Sequence, residues 1–93
     1  PFDIADAAAL NEAFGRMARD HGRLDILVNN VGQRDRRALE AFALDDLRRL
    51  LDVNLVAPFE LSRRAAALMG AGGRIVNITS IAGPIARGGD AAY

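Results

Sequence analysis

The sequence predicts an α/β protein built on a parallel sheet with helical crossovers, and three observations carry that expectation. Amphipathic helical stretches alternate with short aliphatic runs. The two runs lie roughly 50 residues apart, far enough for a helical crossover between parallel strands. Each run ends in polar residues, as LDILVNN and as RIVNITS. In an open parallel sheet ligands bind beyond the carboxyl ends of the strands, so these polar tips mark the expected binding edge.

The elements follow in order. Residues 7–19 carry Leu10, Ala13, Phe14 and Met17 at the i, i+3, i+4, i+7 spacing of one apolar helix face, with Asp6 as N-cap and His21-Gly22 as the stop. Residues 24–28 form an aliphatic run with little alternation, which suits a strand covered on both faces; Asp25 interrupts it near its start. A polar loop, 33–37, leads to a helix expected to start with Asp45 as N-cap. Leu47, Leu51, Asn54, Pro58 and Leu61 fall on one stripe of that helix. Pro58 removes an i to i−4 bond there, which predicts a kink or break. Glycines at 70–73 end the helix, residues 75–78 make the second buried strand, and IAGPIARGGDAAY reads as loop.

Composition excludes several classes. The 93 residues are 51% apolar and 5% aromatic, a globular profile. Twelve basic and twelve acidic residues cancel, so no global field draws the chain to nucleic acid or to an anionic membrane. The basic cluster Arg34-Asp35-Arg36-Arg37 reads as a solvated loop or as a contact for an anionic substrate or cofactor phosphate. Without cysteine there is no disulfide framework and no thiolate metal site, and no metal is expected. No apolar stretch approaches the roughly 20 residues that span a bilayer. The expectation is a soluble cytoplasmic protein. Because it opens at Pro1 and stops directly after GGDAA at Tyr93, the chain reads as an internal fragment.

The polar groups at the strand tips raise the functional question. A strand that merely fills a core has no use for Asn29-Asn30-Val31-Gly32 at its end; beside a ligand, Asn offers donor and acceptor while Gly lets backbone come close. Asn54 shares a stripe with leucines, and an unpaired buried amide costs about 1–3 kcal/mol, so it requires a partner.

Asp3-Ile4, LDILVNNVG, DVNLVAPF, GRIVNITSIAG and Tyr93 stand in an order that resembles the short-chain dehydrogenase/reductase family across the whole chain. Ser80 and Tyr93 lie thirteen positions apart, the separation typical of the family's serine and tyrosine. The resemblance implies part of a doubly wound parallel-sheet Rossmann fold, from the end of its third strand through its fifth strand and the start of the active-site helix. Residues 1–93 would then be a partial domain lacking the glycine-rich βαβ unit and the C-terminal part. Such a piece alone is expected to be insoluble or loosely packed and inactive.

The resemblance also implies NAD or NADP as cofactor, without choosing between them. Asp3 would accept from the adenine amino group, with the Ile4 backbone along the ring. Asn29 would brace the sheet through neighbouring backbone, Asn30 would lie at the ribose, and Val31 and Gly32 would pass close under the cofactor; the family motif has Ala where Val31 stands. Asn54 would hold a helical turn open so that a backbone carbonyl binds a water of the proton relay. Hydride transfer to a carbonyl leaves negative charge on oxygen, which needs a proton donor and a second hydrogen bond; Tyr93 supplies the first and Ser80 the second. A free phenol titrates near pH 10, and in the family a Lys four positions on, beyond this chain, lowers it. The expected reaction interconverts a secondary alcohol and a ketone, with a small-molecule alcohol or ketone as substrate and a homodimer or homotetramer as the full-length state.

Two rivals are weighed against this. A serine hydrolase would need G-x-S-x-G, whereas the chain reads Ile78-Thr79-Ser80-Ile81-Ala82, and His21, at the C-terminal end of a helix before the first strand, reads as a dipole-compensating surface residue. A catalytically silent relative that binds a dinucleotide as a sensor would usually lose Ser80 or Tyr93, and both are present.

Overall fold

The computed structural model describes residues 1–82 and Ile85. Its elements run α1 (Ala7–Asp20), β1 (Ile26–Asn29), a 3-10 turn (Leu39–Ala41), α2 (Leu44–Leu51), a π turn (Asp52–Val56), α3 (Ala57–Leu68) and β2 (Arg74–Asn77). The strands pair in parallel, with Ile26 opposite Arg74 and Asn29 opposite Asn77. Asp25 C=O accepts from Arg74 N–H and Asn29 C=O from Ile78 N–H, both at 2.9 Å, so both strand ends stay in register. An α/β layer with a helical crossover between parallel strands is what the alternation predicted.

Local chemistry explains α1. The Asp6 carboxylate accepts from the N–H groups of Ala8 and Ala9 at 3.0 and 3.2 Å, satisfying two of the donors that every helix start leaves unpaired. At the other end Gly22 adopts φ +71°, a left-handed conformation open to glycine at little cost, and its N–H donates to Met17 C=O. The apolar face lands as its spacing required: Leu10 and Phe14 are buried with Ala65 of α3, and Leu24, Leu27, Leu61, Leu68 and Met69 close around them.

Several boundaries differ from expectation. The first strand is Ile26–Asn29 rather than 24–28, because Leu24 instead turns to the helices, its N–H donating to Leu68 C=O at 3.2 Å. The second strand is Arg74–Asn77, starting and ending one residue early. Helix α2 has Ala43, not Asp45, at its N-cap; Asp46 reaches back to accept from Ala43 N–H at 3.0 Å. Leu50 rather than Leu51 is the buried leucine of α2, a choice that composition cannot make between two adjacent leucines.

The helix irregularity lies upstream of Pro58. Ala57 N–H donates to Asp52 C=O, five residues back, and so defines the π turn, while Pro58 sits in the first turn of α3, where its missing N–H costs little. The sheet also departs from the expected two-sided burial. Leu27 and Asn29 face the helices, whereas Ile26 and Val28 are 60% and 53% exposed, with Val76 and Ile78 beside them also open.

Candidate active site

Asn29, which closes β1, is buried. Its amide N–H₂ donates to Asn77 Oδ1 at 2.8 Å and to Ser62 Oγ at 3.1 Å, so a single side chain ties β1 to β2 and to α3. These partners are side chains, not the neighbouring backbone that was expected. Asn29 Oδ1 is buried and has no hydrogen-bond partner among the described residues.

Asn54 lies in the π turn and meets the loop leaving β1. Gln33 N–H donates to Asn54 Oδ1 and Asn54 Nδ2 donates to Gln33 C=O, each at 2.7 Å. This closed pair satisfies both ends of the amide, which is what its half-buried position demands. The extra residue of the π turn and the ring of Pro58 have a joint consequence for the backbone. Pro58 stands four residues beyond Asn54 and has no N–H, so it cannot close the ordinary helical bond to the Asn54 carbonyl.

An open cleft of about 360 Å³ is lined by Val31, Asn54, Pro58, Asn77 and Thr79, joining both strand tips to the π turn. A smaller hollow of about 170 Å³ brings Ile4 together with Asn30 and Val31. Gly32 lies next to Asn54; a Cβ built on it would meet nothing nearer than Asn54 Oδ1 at 3.6 Å, an ordinary contact. Packing within the described residues therefore does not demand glycine at this position.

Ser80 follows Thr79 and lines neither hollow. Its Oγ accepts from Ala82 N–H at 3.1 Å in a tight turn. That bond uses a lone pair and leaves the hydroxyl hydrogen able to donate elsewhere. Asp3 also has a local role, one carboxylate oxygen accepting from Ala5 N–H at 2.9 Å in the turn before α1. Tyr93 lies outside the described residues.

Arg37 is more firmly built in than a solvated loop would require. Its Nε and Nη2 bond the two oxygens of Asp35 at 2.9 and 2.5 Å, Nη1 bonds Asp46 Oδ2 at 3.0 Å, and the guanidinium lies 5.1 Å from the centre of the Phe42 ring. The Asp35 hydrogen bonds push the Arg37 pKa up from its ordinary value. Among the described residues no group of acidic, histidine or cysteine side chains is placed to hold a metal, and no helix is long and apolar enough to cross a membrane.

The family model described as short chain dehydrogenase matches residues 1–93. The chain belongs to that family. It is 39% identical over 93 residues to the trans-4-hydroxycyclohexanecarboxylate dehydrogenase of Sinomonas cyclohexanicum, covering 98% of this chain and 36% of the relative. Among solved structures, the short-chain dehydrogenase/reductase from Serratia marcescens BCRC 10948 superposes with a TM-score of 0.89 at 46% identity, over 99% of this chain and 43% of that one. A gluconate 5-dehydrogenase from Burkholderia cenocepacia J2315, in complex with NADP and tartrate, gives 0.86 at 38% identity, over 99% of this chain and 37% of that one. The chain thus spans 28–38% of the length of the curated relatives compared with it. The parallel pair and crossover are part of the Rossmann fold of these short-chain dehydrogenases.

Within this short-chain dehydrogenase chain, Ile4, Asn30 and Val31 share one hollow, and Val31 and Asn54 share the other, with Gly32 against Asn54. Asp3 and Ser80 stand apart from both hollows. Sequence reasoning required a partner for Asn54 without finding Gln33, and it did not single out Ser62 or Asn77. One signal for Asn77 was available: the strands read ILVN and RIVN, each closing on Asn at the same register position.

Proposed function

We propose that the protein carrying this chain is an NAD(P)-dependent oxidoreductase that interconverts a secondary alcohol and a ketone. The observation that carries this reading is Asn54, pinned by Gln33 on a π turn beside Gly32, with a proline where the donor to its carbonyl would stand. An amide spent entirely on one loop residue leaves the Asn54 backbone carbonyl as the group that can hold a water at the edge of the cleft.

The residues present fit a dinucleotide. Asn30 and Val31 are exposed at the strand tip, Ile4 lines the same hollow, and apart from the chain neighbours of Gly32 no heavy atom of the described residues comes closer than 3.6 Å to a Cβ placed on it. Asp3, Ile4, Asn30, Val31 and Gly32 would hold the cofactor, which when bound supplies or accepts the hydride. Ser80 donates its hydroxyl hydrogen to the substrate oxygen while the Ala82 N–H keeps Oγ in place. Tyr93 gives the proton to that oxygen in reduction and takes it in oxidation. Water on the Asn54 carbonyl restores the proton to Tyr93.

The bare face of Ile26, Val28, Val76 and Ile78 supports the companion proposal that residues 1–93 are part of a larger Rossmann domain, because parallel sheets are ordinarily covered on both faces. We place the full-length protein in the cytoplasm as a homodimer or homotetramer, which cell fractionation and light scattering would check. Two of the relatives are named for carboxylate-bearing secondary alcohols, so trans-4-hydroxycyclohexanecarboxylate and gluconate, with uncharged cyclohexanol for contrast, form the first substrate panel.

The deciding experiment is turnover of that panel with NAD⁺ and NADP⁺ by the full-length protein and two variants. Tyr93→Phe is expected to lower turnover by about 10² to 10⁴ while the nucleotide still binds. Ser80→Ala is expected to lower kcat/KM by about 2–4 kcal/mol in activation free energy with folding intact. Near-normal activity of Tyr93→Phe would sink the assignment.

A further inference from the structure

Residues 33–37, in the loop that follows β1, are held at both ends. The first of them, Gln33, is bonded twice by Asn54. The last, Arg37, closes a knot that draws in Asp35, two residues back, and Asp46, nine residues on in α2. Asp46 Oδ2 also accepts from Ala43 N–H, so Arg37 is tied through that carboxylate to the start of α2. The ring of Phe42 lies against the guanidinium. The pair Arg16–Glu12 is of a different kind, a single helical i, i+4 contact whose arginine side chain is 63% exposed, against 37% for Arg37. Isolated exposed pairs of that sort contribute little, whereas a two-pronged fork in a network fixes geometry.

We propose that Arg37 is a positioning residue for substrate binding: by tying Asp35, Asp46 and Phe42 together it holds residues 33–37 as a preformed rim of the cleft at the strand tip. The proposal rests on the oxidoreductase reading, because it assigns the rim to the substrate rather than to the nucleotide. Gln33, at the head of the rim, bonds Asn54, which lines the cleft, and none of residues 33–37 lines the hollow of Ile4 and Asn30, which sets the expected effect on the substrate and not on the nucleotide. A segment ordered before binding spares the substrate the entropy of ordering it. Loss of the knot returns that cost to the binding step, with the reacting groups untouched.

The test compares the full-length protein with Arg37→Met, which keeps the apolar stem over Phe42 and removes the fork. With the best-used alcohol of the panel, KM is expected to rise about 5- to 20-fold while kcat stays within about twofold and the nucleotide KM does not move. Amide hydrogen exchange at residues 33–37 should quicken about tenfold or more. Asp46→Asn should act in the same direction, and Arg37→Met with Asp46→Asn should be no worse than the worse single variant, because the two remove one brace. Arg37→Lys, which keeps the charge but not the fork, covers the case in which Arg37→Met does not fold, and should show an intermediate KM. Arg16→Met should match wild type throughout. An unchanged substrate KM, a fall confined to kcat, or unchanged exchange in the rim would overturn the proposal. A wild-type protein that oxidises nothing on the panel instead overturns the oxidoreductase reading, and the exchange result then decides by itself whether the brace exists.

Discussion

Asn54, on the π turn, and Asn29, at the tip of β1, are amides of one chemical kind lining one cleft, yet they are used in opposite ways. Asn54 spends both ends on a single residue, donating to Gln33 C=O and accepting from Gln33 N–H, as a strand neighbour would. Asn29 spends its N–H₂ twice, on Asn77 and Ser62, and leaves Oδ1 buried without a partner among the described residues. The difference teaches which joint is rigid. A closed pair fails badly when either end is changed, whereas a joint that already carries an orphaned acceptor loses less when the whole group goes.

Asn54→Asp is the sharpest way to break that contrast. The carboxylate can still accept from Gln33 N–H, but its second oxygen replaces the donor that faces Gln33 C=O at 2.7 Å, setting acceptor against acceptor. Denaturant unfolding of the full-length protein is expected to show a loss of about 2–3 kcal/mol, with turnover down more than about tenfold. A variant within about 0.5 kcal/mol of wild type would mean that the pair is ornamental.

Asn29→Ala is expected to cost less, about 1 kcal/mol. It removes the bonds to Asn77 and Ser62 but also removes the unpaired Oδ1, so part of the loss is offset. The same unfolding measurement decides the order. If Asn29→Ala proves as damaging as Asn54→Asp, then Oδ1 has a partner in the full-length protein and the two joints are equivalent.

How far these joints could be read in advance depends on distance along the chain. Asp6, Gly22 and the Leu10–Phe14 face were legible because capping and helical periodicity act within a few residues. The need for a partner at Asn54 was legible from its leucine neighbours, but Gln33 lies 21 residues away and only the fold brings it there. Arg37 read as a solvated loop because its second acid, Asp46, belongs to the next helix. Pro58 correctly announced an irregular helix and misplaced it: a proline disturbs the bonds of the residues before it, so the π turn formed upstream at Asp52–Val56. The uncovered sheet face had no local signal, since the composition of an aliphatic run is the same whether or not a layer lies over it.

The smallest expected effect comes from Glu60, which with Arg63 and Arg64 forms a charged cluster on α3 outside both joints and serves as their control. Hydrogen bonds from Arg63 and Arg64 lower its carboxyl pKa from 4.5 to about 2. A carboxyl whose folded value is depressed contributes stability above its unfolded value and loses it as pH falls through the folded one. The contribution of Glu60 should therefore be complete above about pH 5, decline between pH 4.5 and about 2, and vanish below. Glu60→Gln keeps the shape and removes the charge, so its melting temperature should fall below wild type by no more than about 2 °C at pH 7, with the gap closing as the pH is lowered through that window. Because neither Asn29 nor Asn54 titrates, the Asn29→Ala deficit should hold steady over the same range. A Glu60→Gln gap that is constant with pH would assign the effect to packing of the side chain rather than to its charge.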